Sequence, residues 1–465
     1  MSSRPSLSNA PAIARLHANA LHNLLDLNSV ETADGVPFIR AGGGYEEPWT
    51  RDAAINSWNA ASLVSPDIAR STLELVCETD TDGEHIVAQD NQWWDQVVWI
   101  TAAWRHLLRT GDVAFGREAR HIGRRTLAHL HTERFDAGTG LYRGPALMQD
   151  GISGYPTPPN DPAITSSFVL DYPIAATLFS LSTNLSYVLG LEALANLDEA
   201  DGVPAPALRE RASALRKAID AAFWSEEDGT YRYVLPGDPT EWPEVGPHIE
   251  LAGLALVIET GLCSPERAVH LLETTHREPF GHVNVWPHYT DRYSPEHPGR
   301  HNAILWPMVM GMWGSSAAEV RHLGAFDQVL TDLQRLVDGS DGDFFEVYNA
   351  RDGSVDGGWQ ISEVWSSLPN QTWSATAFLK LVHEGLFGLR FGTGGLRFEP
   401  LVPARFDGAG LHNVAYRGAT VSVTLQGHGD QIASIRINGR DVDLDAAAHL
   451  PASATGPQDV IVTLR

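Results

Sequence analysis

The sequence predicts a mainly helical fold: six helical hairpins closed into a ring, followed by a small antiparallel β module. Three observations carry this. Apolar residues recur at helical spacing in about twelve stretches through the first ~390 residues. Long loops rich in Pro, Gly, aromatics and acids separate the stretches, and loops beyond ~12–15 residues in a compact protein are usually functional. After Phe391 the pattern changes to the two-residue alternation of strands.

The helical stretches lie near 10–28, 51–64, 66–79, 93–109, 114–132, 165–197, 205–224, 248–261, 264–276, 301–313, 316–338 and 370–387. Ser65-Pro66 and Ser264-Pro265 place a capping side chain before a first-turn proline. Gly111, Gly261 and Gly385 stand where helices should stop. The loops cover 37–50, 80–92, 136–164, 229–247, 277–300 and 339–369. In a ring of hairpins, alternate connections gather at one end and can build a pocket there. Behind the ring, Thr420–Leu425, Ile432–Ile437 and Val460–Leu464 alternate like strands, with Asn438-Gly439 and Gly427–Gly429 as hairpin turns. The division expected is therefore 1–391 for the helical domain and 392–465 for a structural β module.

Composition excludes several classes. Lys and Arg total 33 against 58 Asp and Glu, a net charge of −25. A chain this acidic is not drawn to phosphate backbones and carries no polybasic membrane anchor. A hydrophobic content of 43 % supports a large core, so wholesale disorder is excluded. Cys77 and Cys263 are too few for a disulfide framework and read as buried free thiols in a reducing cytoplasm. The N-terminus shows no secretory signal and the chain no membrane-length apolar run, so a cytoplasmic location is the expectation. There is no HExxH, CxxC, Walker loop or GxSxG elbow. Gly42-Gly43-Gly44 runs into Tyr-Glu-Glu-Pro, whose acids would repel phosphate. No metal and no organic cofactor is expected.

The fourteen tryptophans are the unusual feature. Trp49, Trp93, Trp94, Trp242, Trp286, Trp359 and Trp365 lie beside turn residues or acids, and flat apolar faces next to carboxylates suit sugar rings. Cleavage of a glycosidic bond needs two carboxyl groups, one protonated to assist the leaving oxygen and one ionised to activate water or attack. Four loop segments supply candidates. GGGYEEPWTRD holds Arg51 and Asp52 at a helix start, either as a first-turn acid with its paired arginine or as a donor–acceptor pair for hydroxyls. DNQWWDQVVW holds Asp90, Asn91, Gln92 and Asp95. MQDGISGYPTPPNDP holds Asp150 and Asp161, and the stretch 343–373 holds Glu346, Asp352, Asp356 and Glu363.

These segments, in this order, resemble the six-hairpin (α/α)6-barrel glycoside hydrolases, in the clan of trehalases and processing α-glucosidases, and more distantly the debranching-type glucosidase domains. PWTRD resembles the family's Arg-Asp sugar contact, which implies that role for Arg51 and Asp52. QDGISGYP followed by SLSTNLSYVLGLEALANL resembles the stretch that carries the aspartate general acid, which implies Asp150, with Asp161 in reserve. FFEVYNARDG, GGWQ and PNQTWSATAFL resemble the general-base segment and the last barrel helix, which implies Glu346 as the base of an inverting mechanism. The resemblance implies an (α/α)6 toroid acting from the chain end on small α-linked glucosides or related glycosides. Trp49 would help to hold the sugar, with Gln92, Trp93, Trp94, Asp95, Tyr155, Trp359 and Gln371 completing the pocket. The partner implied is a small carbohydrate. Two alternatives use the same barrel: a phosphorylase with phosphate in place of the base, and an epimerase using histidines such as His248, His288 and His301.

Overall fold

The computed structural model describes residues 4–88, 92–156, 166–237, 246–290, 292–361 and 363–465. Trp242, Asp90, Asn91 and Asp161 lie outside them. Twelve helices run through the described residues up to 386. They are α1 (Pro11–His22), α2 (50–64), α3 (Pro66–Leu75), α4 (Val98–Thr110), α5 (Val113–Arg134), α6 (Leu181–Ala200), α7 (Pro206–Phe223), α8 (Leu251–Glu259), α9 (Pro265–Thr274), α10 (Pro307–Glu319), α11 (Leu323–Gly339) and α12 (Thr372–Lys380), which runs on through Leu381–Leu386. The even-numbered helices touch in sequence, α2 to α4 to α6 to α8 to α10 to α12, and α12 returns to α2. That is a closed inner ring, with the odd-numbered helices packed outside it, consistent with an α/α toroid.

Patterning explains who sits where. The inner helix α6 buries residues all round its circumference, whereas the outer α11 buries one stripe of Phe326, Val329, Leu330, Leu333, Leu336 and Val337. Inner helices approach closely where side chains are small: a Cβ on Gly311 would meet Ala377 and one on Gly190 would meet Val97. Trp94, Trp99 and Trp313 are fully buried, and burying a large apolar side chain contributes about 1.5–3 kcal/mol each.

Proline occupies the first turn of α1, α3, α7, α9 and α10. Ser264 caps α9 through the Arg267 amide, whereas Ser65 makes no side-chain cap. Gly111 ends α4 at φ 74° and Gly261 follows α8 at φ 62°. Gly385 does not end α12; it lies within the final turns against Phe326, and the left-handed position falls to Gly388 at φ 64°. Of the expected helix 165–197, the described residues from 166 on are α-helical only from Leu181, because Pro173 disfavours helix at Tyr172 and short 3₁₀ turns replace it. Both cysteines are free, and both are half-buried rather than buried.

The C-terminal strands form a sheet of order β1 (Ser6–Ser8), β2 (Gly410–Tyr416), β3 (Ala419–Gln426), β6 (Gly456–Leu464), β4 (Ile432–Ile437) and β5 (Arg440–Val442). Two expectations change here. The sheet is mixed, because β6 enters parallel to β3 and separates it from β4, so Gly427–Gly429 does not join paired strands. The N-terminal β1 also belongs to this sheet, and the first strand after the helices starts at Leu389, not at 392. Asn438-Gly439 turns β4 into β5 with φ of 50° and 78°, as a two-residue hairpin requires. No helix among the described residues is long and apolar enough to cross a membrane.

Candidate active site

The inner helices start toward one end of the ring, and there a cavity of ≈ 220 Å³ opens. Trp49, Trp306 and Gln371, the residues immediately before α2, α10 and α12, all line it. The positive dipole ends of these helices therefore face a common space, which favours electron-rich oxygens.

Arg51 and Asp52 sit in the first turn of α2. The Arg51 guanidinium donates through Nη1 to Asp95 Oδ2 at 2.7 Å and to Gln92 Oε1 at 3.0 Å, and its Nη2 lies 3.5 Å from Asp150 Oδ2. The Trp373 ring lies 5.4 Å away. Asp95 is thus fixed behind Arg51 and does not line the cavity. Burial pushes the Asp52 carboxyl up to about 7, against the Arg51 charge, and Glu346, Asp150 and Asp95 add to the rise. Burial likewise pushes Asp95 up to about 6, opposed by Arg51.

This predicts a pH signature. Between about pH 4 and 7 the folded chain holds at Asp52 a proton that the unfolded chain has released, so stability falls as pH rises through that window and levels off above it. Thermal unfolding midpoints measured across the window should fall less steeply in Asp52→Asn than in wild type. Equal slopes would contradict the buried-acid assignment.

Asp150 comes from the loop before α6, where its carbonyl accepts from the Val169 amide. Met148, two residues earlier, lines the cavity at φ 61°. Ile361, next to the cavity residue Gln360, has φ 57°, an uncommon conformation for a β-branched side chain. Strain of this kind costs about 1–3 kcal/mol per residue and persists where the surroundings enforce it. The Asp150 carboxyl lies 3.3 Å from His301 Nε2 and accepts from Gln92 Nε2 at 3.4 Å.

Glu346 is buried, and its backbone amide donates to Leu368. Its carboxylate faces two donors: Arg300 Nη2 at 2.5 Å on Oε2 and the Tyr45 hydroxyl at 3.2 Å on Oε1. Arg300 is itself held by the Gly357 carbonyl at 2.7 Å. Burial and the Glu346 charge raise the Tyr45 hydroxyl, which keeps it a donor. Gln371 Oε1 has no partner among the described residues, and the absence of a Cβ on Gly42 leaves room for it.

The structure thus brings Trp49, Arg51, Asp52, Gln92, Asp150, Glu346 and Gln371 to one cavity. Besides Asp95, four expected residues do not line it. Trp94 is fully buried with its indole N–H on the Ala146 carbonyl at 3.0 Å, and Trp93 lies under Arg134 at 3.7 Å. Tyr155 is buried between the Ala146 amide and the Gln149 carbonyl. Trp359 pairs with Val364 and meets His297 edge-on. Sequence reasoning missed Tyr45, Arg300, Trp306, Gln360, Trp365 and Trp373 as cavity residues. Tyr45 lay within the GGGYEEPWTRD segment, and Trp365 was visible as an aromatic beside acids. Of the three histidines named for an epimerase, only His301 lines this cavity. His288 lines a separate one, and His248 bonds the Pro287 carbonyl. Among the described residues no cluster could hold a metal ion.

A family model described as "Mannosylglycerate hydrolase MGH1-like glycoside hydrolase domain" matches residues 45–374, which contain every cavity residue named above. The chain belongs to this family. The MGH1-like domain is a glycoside hydrolase, and the resemblance to six-hairpin glycosidases holds. No curated protein sequence matches the chain. Among solved structures, a sialidase superposes with TM-score 0.71 at 15 % identity, covering 96 % of this chain and 41 % of its own. The GH63 mannosylglycerate hydrolase from Thermus thermophilus in complex with glucose gives 0.58 at 17 %, covering 79 % of this chain and all of its own. A rhamnosidase from Klebsiella oxytoca with rhamnose bound gives 0.53 at 15 %, covering 81 % and 65 %. At these identities the structures show a shared fold.

Proposed function

We propose that the MGH1-like domain is an inverting hydrolase that removes one hexose from the end of a small α-linked glycoside. The observation that carries this is one cavity in which two of the three carboxyl groups are set by separate partners: Asp150 by Arg51, Gln92 and His301, Glu346 by Arg300 and Tyr45, with Asp52 beside Arg51 as the third. Asp150 gives its proton to the glycosidic oxygen as the bond to the anomeric carbon breaks. Glu346 takes a proton from water as that water's oxygen attacks the opposite face. Inversion calls for carboxyl groups roughly 6.5–9.5 Å apart, with room for the water.

Binding falls to Arg51, Asp52 and Gln371 on the hydroxyls and to Trp49 and Trp365 on the ring faces. Both tryptophans are exposed at the cavity. A space of ≈ 220 Å³ is below the ~300–1,000 Å³ of sites for drug-sized ligands, which favours a small glycoside over a polymer. Glu346 in this position favours hydrolysis over phosphorolysis, and one cavity histidine where two are needed disfavours epimerisation.

The sugar is to be settled by a panel. The name of the family and the glucose-bound neighbour motivate hexosyl-glycerates of glucose and mannose beside α- and β-linked disaccharides and aryl glycosides. Release of glucose or mannose from one α-linked member, with no release from β-linked ones, is the expected result. Release only when phosphate is added would replace hydrolysis by phosphorolysis.

A further inference from the structure

We infer that His301 is a positioning residue that keeps the Asp150 carboxyl protonated by presenting a bare imidazole lone pair to it. The inference rests on the reading of Asp150 as general acid and deepens it.

The argument starts at Gln149, whose side chain is fully buried. Its amide Nε2 donates to the His301 carbonyl at 3.2 Å, so its Oε1 is the atom that faces His301 Nδ1, at 3.0 Å. Turning the amide over would set two oxygens against each other. An amide oxygen only accepts, so Nδ1 carries the imidazole proton. In a neutral ring Nε2 then has none. That nitrogen lies 3.3 Å from Asp150 Oδ1.

Three features hold the ring in place. The His301 backbone amide donates to Ser153 Oγ at 3.0 Å, and the ring lies 4.9 Å from that of Trp306. Gly151 makes the approach possible, since a Cβ there would collide with the imidazole and with the Gln360 amide. The ring stays neutral because burial pushes its pKa down to about 3, against the pull of Asp150, with Arg300 and Arg51 lowering it further.

The two oxygens of Asp150 therefore face opposite chemistry. Oδ2 faces donors, Gln92 Nε2 and Arg51, and suits a carbonyl oxygen. Oδ1 faces an acceptor and suits a hydroxyl. Arg51 lies 3.5 Å from Oδ2 with Asp52 and Asp95 beside its guanidinium, and Arg300 and Glu346 line the same cavity. The imidazole lone pair acts at the one oxygen it touches, because an ionised Oδ1 would oppose it. Substrate binding then replaces Nε2 by the glycosidic oxygen as the acceptor of that proton.

The test is the pH profile of kcat/KM on two α-glycosides, one with a poor alkyl leaving group and one with an activated aryl leaving group. Wild type, His301→Gln and Asp150→Asn are compared. The glutamine offers an amide donor where the imidazole offers a lone pair. Its basic limb on the alkyl substrate should move down by about one pH unit or more, giving about tenfold loss at neutral pH and recovery in acid. The aryl substrate should be little affected. Equal loss at every pH and on both substrates, or an unmoved basic limb, would overturn the inference and leave His301 a packing residue. Full alkyl-glycoside activity in Asp150→Asn would instead overturn the acid assignment itself. If His301→Gln does not fold, the infrared difference spectrum of wild type minus Asp150→Asn still decides. A protonated carboxyl band for Asp150 at neutral pH is expected; its absence overturns the inference.

Discussion

Replacing Glu346 by glutamine should lower kcat on the best glycoside by about 10²–10⁴-fold, the usual contribution of a positioned base. The amide keeps the size of the side chain but cannot take a proton from water. Its Oε1 still accepts from Arg300 or Tyr45, so the local structure and substrate affinity should survive, and KM should move far less than kcat. A variant with intact activity would remove Glu346 from the chemistry. One with equal losses in affinity and turnover would make it a binding residue.

Asp150→Asn should produce a comparable loss, but one that depends on the leaving group. An alkyl alcohol leaves poorly without a proton, so the alkyl glycoside should lose about 10²–10⁴-fold. An activated phenolate leaves unaided, so the aryl glycoside should lose much less. Steady-state kinetics on the pair, with folding checked by thermal unfolding, separates the two roles. A loss independent of the leaving group would mean that Asp150 orients the sugar through Arg51 and does not deliver a proton. Together the two variants should give opposite patterns: Glu346→Gln impaired on both substrates, Asp150→Asn selectively on the poor leaving group.

Much of this was legible before any coordinates, for definite reasons. Periodicity placed the helices, because each inner or outer helix must bury a face or a whole circumference against its neighbours. The alternation of Val421, Val423 and Leu425 placed β3 for the same reason in a two-residue period. Arg51, Asp52, Asp150 and Glu346 share short segments with aromatics and turn residues, as several other acids do, and it is the resemblance of those segments to the six-hairpin glycosidases that singles the four out. What was not legible depends on partners remote in the chain. Arg300 matters through Glu346, 46 residues away, and Tyr45 through the same carboxylate, 301 residues away. The Trp93-Trp94 pair carried the same local signal as Trp49, yet a backbone carbonyl and Arg134 hold those two rings away from the cavity. The parallel entry of β6 was equally hidden, since local alternation does not reveal which strand becomes the neighbour.

Proton NMR of the sugar in the first minutes of turnover tests the central claim most directly. An α-linked substrate cleaved by water under Glu346, with Asp150 protonating the leaving oxygen, must release the β-anomer first, with the α-anomer growing in only by mutarotation. The α-anomer appearing first would mean retention through a covalent intermediate and would contradict the assignment of Glu346 as a base acting on water.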